Sequence, residues 1–245
     1  MLNVYKDGRD IVFKGICEGD IQELVSEYFD LNYDYEQTKY ELSNVDVHLK
    51  CSIEYGYGIR ILNQDLWETI ISYIISANNN IPRIKGIIER ISKAYGRKIS
   101  WNDKEYYTFP TYEELGQARV EDLRKLGLGF RDKRVYETTK IMQKGDINLE
   151  NLKEEHDISR VKEVLMFLPG VGPKVAECVM LFGLSKKEIF PIDVWVERVM
   201  NELYTDGSKG KKLSKQEIEE LAKEKYGDSA GIAQQYLFYW RREIG

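Results

Sequence analysis

"FLPGVGPKVAECVMLFGL", residues 167–184, decides the reading of this chain. Gly170 and Gly172 alternate with Val171 between two prolines, and a largely apolar run follows with Lys174 at its start. The preceding "ISRVKEVLMFL", residues 158–168, carries the 3.6-residue period of a helix, so the glycines sit between two helices. Glycine takes backbone angles that a Cβ resists, and a helix start bares main-chain N–H groups. Such groups hold a phosphate without reading base sequence. A tight helix–helix connection needs similar glycines, so the loop alone leaves both readings open.

The flanking charges narrow it. Lys174 lies in the first turn of its helix, at the positive end of the helix dipole and beside Val175 and Val179. Both surroundings favour a neutral, nucleophilic amine, although most lysines are simply solvated. Downstream, "FPIDVWVERVM", residues 190–200, opens a helix with Asp193. An aspartate there is first of all an N-cap. A cap is also held rigidly, so the same carboxylate is able to face a substrate.

The rest of the chain frames this motif. It has 245 residues, 42% apolar and 31% charged, an ordinary globular composition with room for a real core. No apolar run is long enough to span a bilayer, and the start lacks the apolar core of a signal peptide. Cys17, Cys51 and Cys178 are scattered and only His48 and His156 join them, a poor fit to a zinc or iron–sulfur site. The thiols suit a reducing cytoplasm. The net charge of −5 is unevenly spread. Residues 18–46 carry nine acids and one base, whereas residues 83–98 carry six bases and one acid, and residues 119–144 eight bases and four acids. On charge alone each run reads as a solvated helix face, but local basic stretches matter more to phosphate than the total.

Along the chain, residues 2–17 alternate around "KDGRD" and read as a hairpin, and Asp20 caps an amphipathic helix. "LNYDYEQTKYELS" reads as a short helix or connector, and "GIRILNQ" as a strand or extended entry. "DLWETIISYIISA" is apolar nearly all round and predicts a buried central helix. "RIKGIIERISKAYG" predicts an amphipathic helix with Gly96 at its C-cap. Helical segments follow to the C-terminus. The fold class is mainly α (α+β), with residues 1–60 as what remains of an N-terminal α/β region and residues 61–245 as an all-helical domain of two subdomains around a cleft.

"LPGVGPKVAECV" followed by "FPIDVWVERV" resembles the helix-hairpin-helix glycosylase motif, and the chain as a whole resembles the bifunctional 8-oxoguanine DNA glycosylases. "SYIISANNNIPRI", "LRKLGLGFRDKRV" and "AGIAQQYLF" extend the resemblance over nearly all 245 residues. It implies a base-excision repair enzyme that acts as glycosylase and abasic-site lyase on duplex DNA containing oxidised guanine. Lys174 would attack C1′ and form a Schiff base, and Asp193 would support the cationic sugar. Cys178 and Phe238 would pack on the two faces of the extruded base, and Gln234 would read its Watson–Crick edge. Asn78 would fill the gap left in the duplex, Arg83 and Arg131 would contact the orphaned cytosine, and Phe130 would stand where a tyrosine intercalates. Gly170 and Gly172 would meet the DNA backbone. The carbonyls of Met166, Leu168 and Val171 would hold a monovalent cation, K+ or Na+. No other cofactor is implied, neither iron–sulfur cluster nor zinc.

Two departures qualify the expectation. Trp195 stands where animal members carry a histidine that contacts phosphate. The family's Gly-Gln-x-Phe-Arg-Trp-like segment, whose carbonyl accepts the N7–H of 8-oxoguanine, has no match here, so weaker lesion discrimination is expected. The alternatives are a helix-hairpin-helix glycosylase for another base and a non-catalytic DNA-binding form. Alkylation-type members lack the lysine, and endonuclease III types carry four clustered cysteines. A monomer is expected.

Overall fold

A computed structural model describes residues 2–15, 19–205 and 212–244. The expected hairpin is present as antiparallel β1 (Leu2–Asp7) and β2 (Asp10–Gly15), while Cys17 lies outside the described residues. Asp20 caps α1 (Ile21–Tyr28) by accepting from Gln22 N at 2.7 Å. α2 (Tyr35–Ser43) and α3 (Val47–Tyr55) follow, capped by Asp34 and Asp46. Residues 59–65 run extended into the next helix but pair with no strand. Ile61 N instead donates to the buried Tyr35 hydroxyl at 3.0 Å.

The apolar run forms α4 (Leu66–Ser76), started by Asp65, whose carboxylate accepts from Glu68 N. Leu66, Trp67, Ile70, Ile71, Ile74 and Ile75 are all buried, because neighbouring elements surround this helix. Each such side chain contributes roughly 1.5–3 kcal/mol. α5 (Ile81–Tyr95) ends at Gly96. That glycine is extended rather than left-handed. A Cβ there would lie 1.9 Å from Thr108 O, so close backbone approach is what demands it. The chain then makes a second hairpin, β3 (Lys98–Trp101) with β4 (Lys104–Tyr107), and short helices α6 (Tyr112–Leu115) and α7 (Val120–Lys125). A 3-10 turn at Gly129–Arg131 leads into α8 (Asp132–Lys144), which stops at left-handed Gly145. α9 (Leu149–Glu154), α10 (Ile158–Met166) and α11 (Pro173–Gly183) follow. α12 (Val194–Tyr204), α13 (Lys215–Tyr226) and α14 (Ala230–Ile244) complete the described chain.

The buried side chains separate into two clusters. One gathers α4, α5, α7, α8, α10 and the middle of α11. The other gathers α2 and α3 with α12, α13 and α14. α11 belongs to both: Val179 and Met180 face the first cluster and Leu181 the second. α4 packs along α11, and the groove between the clusters opens beside these two helices. The N-terminal region is tied in by a buried pair, Lys187 Nζ to Asp30 Oδ2 at 3.0 Å. The Lys187 carbonyl in turn accepts from Gly231 N at 2.7 Å, at the start of α14.

Candidate active site

α10, the loop and α11 form the expected helical hairpin, braced by Lys162 Nζ to Glu177 Oε1 at 2.6 Å. The two glycines differ. Gly170 has φ +90 and a Cβ there would meet Arg134 Cδ at 2.7 Å, so both conformation and space require glycine. Gly172 has φ −93 and open space around its Cα, so any residue adopts its backbone and the expected conformational need is absent. As the N-cap of α11 it supplies no side-chain cap, which leaves helix N–H groups bare towards solvent.

Lys174, two residues on, and Cys178, one turn further, come from α11; Asp193 begins α12; Gln234 and Phe238 lie one turn apart on α14. All five line one pocket of about 150 Å³. Lys174 is half-buried and, among the described residues, has no carboxylate within 4 Å. Asp193 is a true cap, accepting from Val196 N at 2.8 Å with one oxygen, Oδ1. Burial pushes the Cys178 thiol up from its usual range, against the pull of the nearby Lys174 ammonium and Tyr73 hydroxyl. Gln234 is 6% exposed: its Nε2 donates to Pro191 O at 3.2 Å and its Oε1 accepts from Gln235. An amide has two N–H groups and two lone pairs, so one of each remains for a ligand. Tyr73 of α4 and Phe182 of α11 complete the wall, and sequence reasoning missed both. The available signal was the one tyrosine of α4, whose hydroxyl needs a partner once buried.

A second cluster forms where α4 hands over to α5. The asparagine triplet divides its labour. Asn79 Nδ2 donates to Ile75 O at 3.1 Å, closing the end of α4, and Asn80 Oδ1 accepts from Arg83 N at 3.0 Å, capping α5. Asn78 is exposed, in the left-handed region at φ +48, and its side chain makes no hydrogen bond among the described residues. Arg131, expected to face an orphaned cytosine, turns its guanidinium inward and is 1% exposed. Nε donates to Ala77 O at 2.8 Å, Nη2 to Asn78 O at 2.7 Å and Nη1 to Leu128 O at 3.3 Å. Burial, with Arg83 and Arg134 nearby, lowers its pKa from the usual value. Arg83 is exposed and reaches Gly127 O at 3.3 Å. Phe130 is 56% exposed, with the Arg131 guanidinium 4.2 Å from its ring centre and that of Arg134 at 5.3 Å. Val194 and Trp195 are exposed just after Asp193, and Arg198 lies 5.1 Å from the indole.

Among the described residues, no group of three His, Cys, Asp or Glu side chains is placed to hold a metal ion, and no helix is long and apolar enough to cross a membrane. The carbonyls of Leu168 and Val171 lie on the hairpin turn and that of Met166 at the end of α10; Leu168 O already accepts from Val171 N at 3.0 Å.

Residues 2–70 match the N-terminal domain of 8-oxoguanine DNA glycosylases, and residues 71–224 match the HhH-GPD superfamily of base excision DNA repair proteins. A probable N-glycosylase/DNA lyase of Methanothermobacter thermautotrophicus is 32% identical over 92% of this chain and 76% of its own length. The 8-oxoguanine glycosylase/lyase of Clostridium acetobutylicum, solved with double-stranded DNA containing cytosine opposite 8-oxoguanine, superposes with a TM-score of 0.91. It is 42% identical and the match covers 99% of this chain and 82% of that one. MBOgg1, solved with a low-affinity DNA ligand, gives 0.93 at 42% identity, over 100% of this chain and 82% of its own. With both of its matched domains and these relatives, this chain belongs to the 8-oxoguanine DNA glycosylase family of N-glycosylase/DNA lyases, within the HhH-GPD superfamily of base excision repair proteins.

Proposed function

We propose that this enzyme removes 8-oxoguanine from duplex DNA and then cuts the strand, with Lys174 as nucleophile. The observation that carries the reading is the convergence of Lys174, Asp193, Cys178, Gln234 and Phe238 on one pocket from three separate helices. A base stacked in a duplex hides its C1′, so the nucleotide is first extruded, at a cost of a few kcal/mol. Asn78, exposed at the tip of its loop, enters the vacated space, and Phe130 wedges beside it. Arg83 meets the orphaned cytosine, with Arg131 behind it holding the loop. Cys178 and Phe238 sandwich the extruded base, and the remaining N–H and lone pair of Gln234 read its edge.

The Lys174 amine then bonds to C1′ as the C1′–N9 bond breaks, and the electron pair leaves with the base, which takes up a proton. The sugar opens to an imine on Nζ. Loss of a proton from C2′ expels the 3′ phosphate by β-elimination. Asp193 faces the positive charge that grows on the sugar, with the carboxylate oxygen that its cap bond leaves unused. The bare N–H groups at the start of α11 and the exposed Gly172 receive a DNA phosphate. The carbonyls of Met166, Leu168 and Val171 are hard oxygen donors that suit a monovalent cation, which would stiffen the turn when bound. We take the enzyme to act as a cytoplasmic monomer.

Borohydride trapping on duplexes bearing 8-oxoguanine opposite each of the four bases tests this reading. A covalent adduct with wild-type protein, strongest opposite cytosine, is the expected result. No adduct on any lesion or abasic duplex overturns it.

A further inference from the structure

Two aromatic rings of the pocket wall, Tyr73 and Phe182, have no part in the chemistry proposed above. Tyr73 projects from α4 into the wall shared by Lys174 and Cys178. Its ring stacks on Phe182 of α11, centroids 6.1 Å apart and planes 17° from parallel, which fixes the ring plane against the helix that carries the nucleophile. Lys174 Nζ stands 5.5 Å from the ring centre, within the range where a cation is drawn to an aromatic face. With no carboxylate within 4 Å among the described residues, Lys174 is left to this ring and to the Cys178 thiol. The Tyr73 hydroxyl and the same thiol line one pocket and influence each other's titration, so one side chain stands beside both functional groups of α11. Burial raises the Tyr73 pKa well above its ordinary value, so the hydroxyl stays protonated and able to donate.

We propose that Tyr73 is a positioning residue for the nucleophile and the base: its ring aims the Lys174 amine across the pocket, and its hydroxyl holds the Cys178 sulfur where the extruded base will lie. This rests on Lys174 being the nucleophile. A long lysine side chain has many rotamers, and an attack geometry needs one of them. The ring restricts the amine without pairing it to a carboxylate, so the amine remains free to lose its proton and attack.

The two arms separate on two substrates. An abasic duplex has no base to sandwich, so single-turnover trapping on it reports the ring alone. Excision of 8-oxoguanine opposite cytosine reports ring and hydroxyl together. Tyr73→Phe keeps the ring on Phe182 and is expected to trap abasic DNA at the wild-type rate, while excising 8-oxoguanine about fivefold more slowly, the scale of one hydrogen bond. Tyr73→Leu is expected to trap abasic DNA about tenfold more slowly, with its affinity for that duplex unchanged. A merely structural residue would move affinity and melting together and would not be rescued by phenylalanine. Slowed abasic trapping by Tyr73→Phe, or wild-type trapping by Tyr73→Leu, overturns the ring's part; wild-type excision by Tyr73→Phe overturns the hydroxyl's. Lys174→Gln, run in parallel, keeps the two questions apart: an adduct from that variant would overturn the nucleophile assignment whatever Tyr73 does.

Discussion

The pocket on α11 and the loop between α4 and α5 both belong to the DNA-facing side of the reading proposed here, yet they are built on opposite terms. In the loop, nearly every polar group is engaged within the protein. Arg131 is spent on three carbonyls, Asn79 closes α4 and Asn80 caps α5. Only Asn78 is left over, in a conformation that few residues tolerate. In the pocket, Lys174 has no carboxylate partner among the described residues, Asp193 spends one oxygen on its helix, and Gln234 keeps half its bonding capacity. The loop is therefore stiff machinery whose residues carry stability, and the pocket is an open set of groups whose residues carry chemistry. Substitutions on the two sides should break different things.

The largest effect is expected at Lys174. Lys174→Gln should abolish the borohydride adduct on every duplex, because among the described residues no other amine lines the pocket. It should leave the unfolding free energy within about 0.5 kcal/mol of wild type, since among the described residues Lys174 makes no ion pair and its ring contact is weak. A large drop in melting temperature would mean that the pocket side chains carry the fold as those of the loop do, and the contrast would fail.

Asp193 comes next, and it straddles the two terms. Asp193→Asn keeps an oxygen able to accept from Val196 N, and asparagine caps a helix about as well as aspartate. Excision should still fall about 10²-fold, the scale for loss of one group that stabilises transition-state charge. Asp193→Ala should add a loss of about 1 kcal/mol in stability through the missing cap. Unfolding in denaturant beside single-turnover excision separates the two; equal excision by wild type and Asp193→Asn would reduce the residue to its cap.

In the loop the expected order reverses. Arg131→Met leaves the carbonyls of Ala77 and Asn78 without their side-chain donor, while Leu128 O keeps the backbone N–H of residue 131, and should cost about 2–3 kcal/mol in unfolding free energy. Asn78→Gly relieves the left-handed backbone and should leave stability unchanged or slightly improved, while a 2-aminopurine reporter beside the lesion should show extrusion reduced about tenfold. If Arg131→Met were as stable as wild type, the inward guanidinium would be one conformer among several and direct contact with the cytosine would regain its place.

This contrast also marks what the sequence could convey. The period of "DLWETIISYIISA" and the caps at Asp20 and Asp193 were legible, because periodicity and capping are local and each shows within a few residues. The hairpin and the pocket set were legible through their resemblance to a family. α3, α9 and the hairpin of β3 and β4 were not foreseen, since these elements are short and local signals are weak over so few residues. The inward turn of the Arg131 guanidinium was not legible, because its carbonyl partners at Ala77 and Asn78 are more than fifty residues away. Gly172 was grouped with Gly170 by sequence alone, although only Gly170 has positive φ.

That last pair supplies the smallest and most selective test. Gly170→Ala should cost about 1–2 kcal/mol for the left-handed backbone, and more if Arg134 cannot move aside. Gly172→Ala meets neither obstacle, because its backbone is extended and nothing lies within 4 Å of the added Cβ. Its stability should stay within about 0.5 kcal/mol of wild type, because the freedom lost by the unfolded chain is offset by alanine's poorer fit at an N-cap. The cost should fall on DNA alone. A methyl group at the N-cap of α11 stands in front of the bare N–H groups that the hairpin offers to a phosphate, so affinity for both lesion and undamaged duplexes should drop by a few-fold, without a change in the preference between them. Fluorescence anisotropy at two salt concentrations reads this directly, since a lost phosphate contact also flattens the salt dependence. Unchanged affinity with unchanged salt slope would show that no phosphate comes close to Gly172, and the glycine would then be explained by neither its backbone nor its ligand.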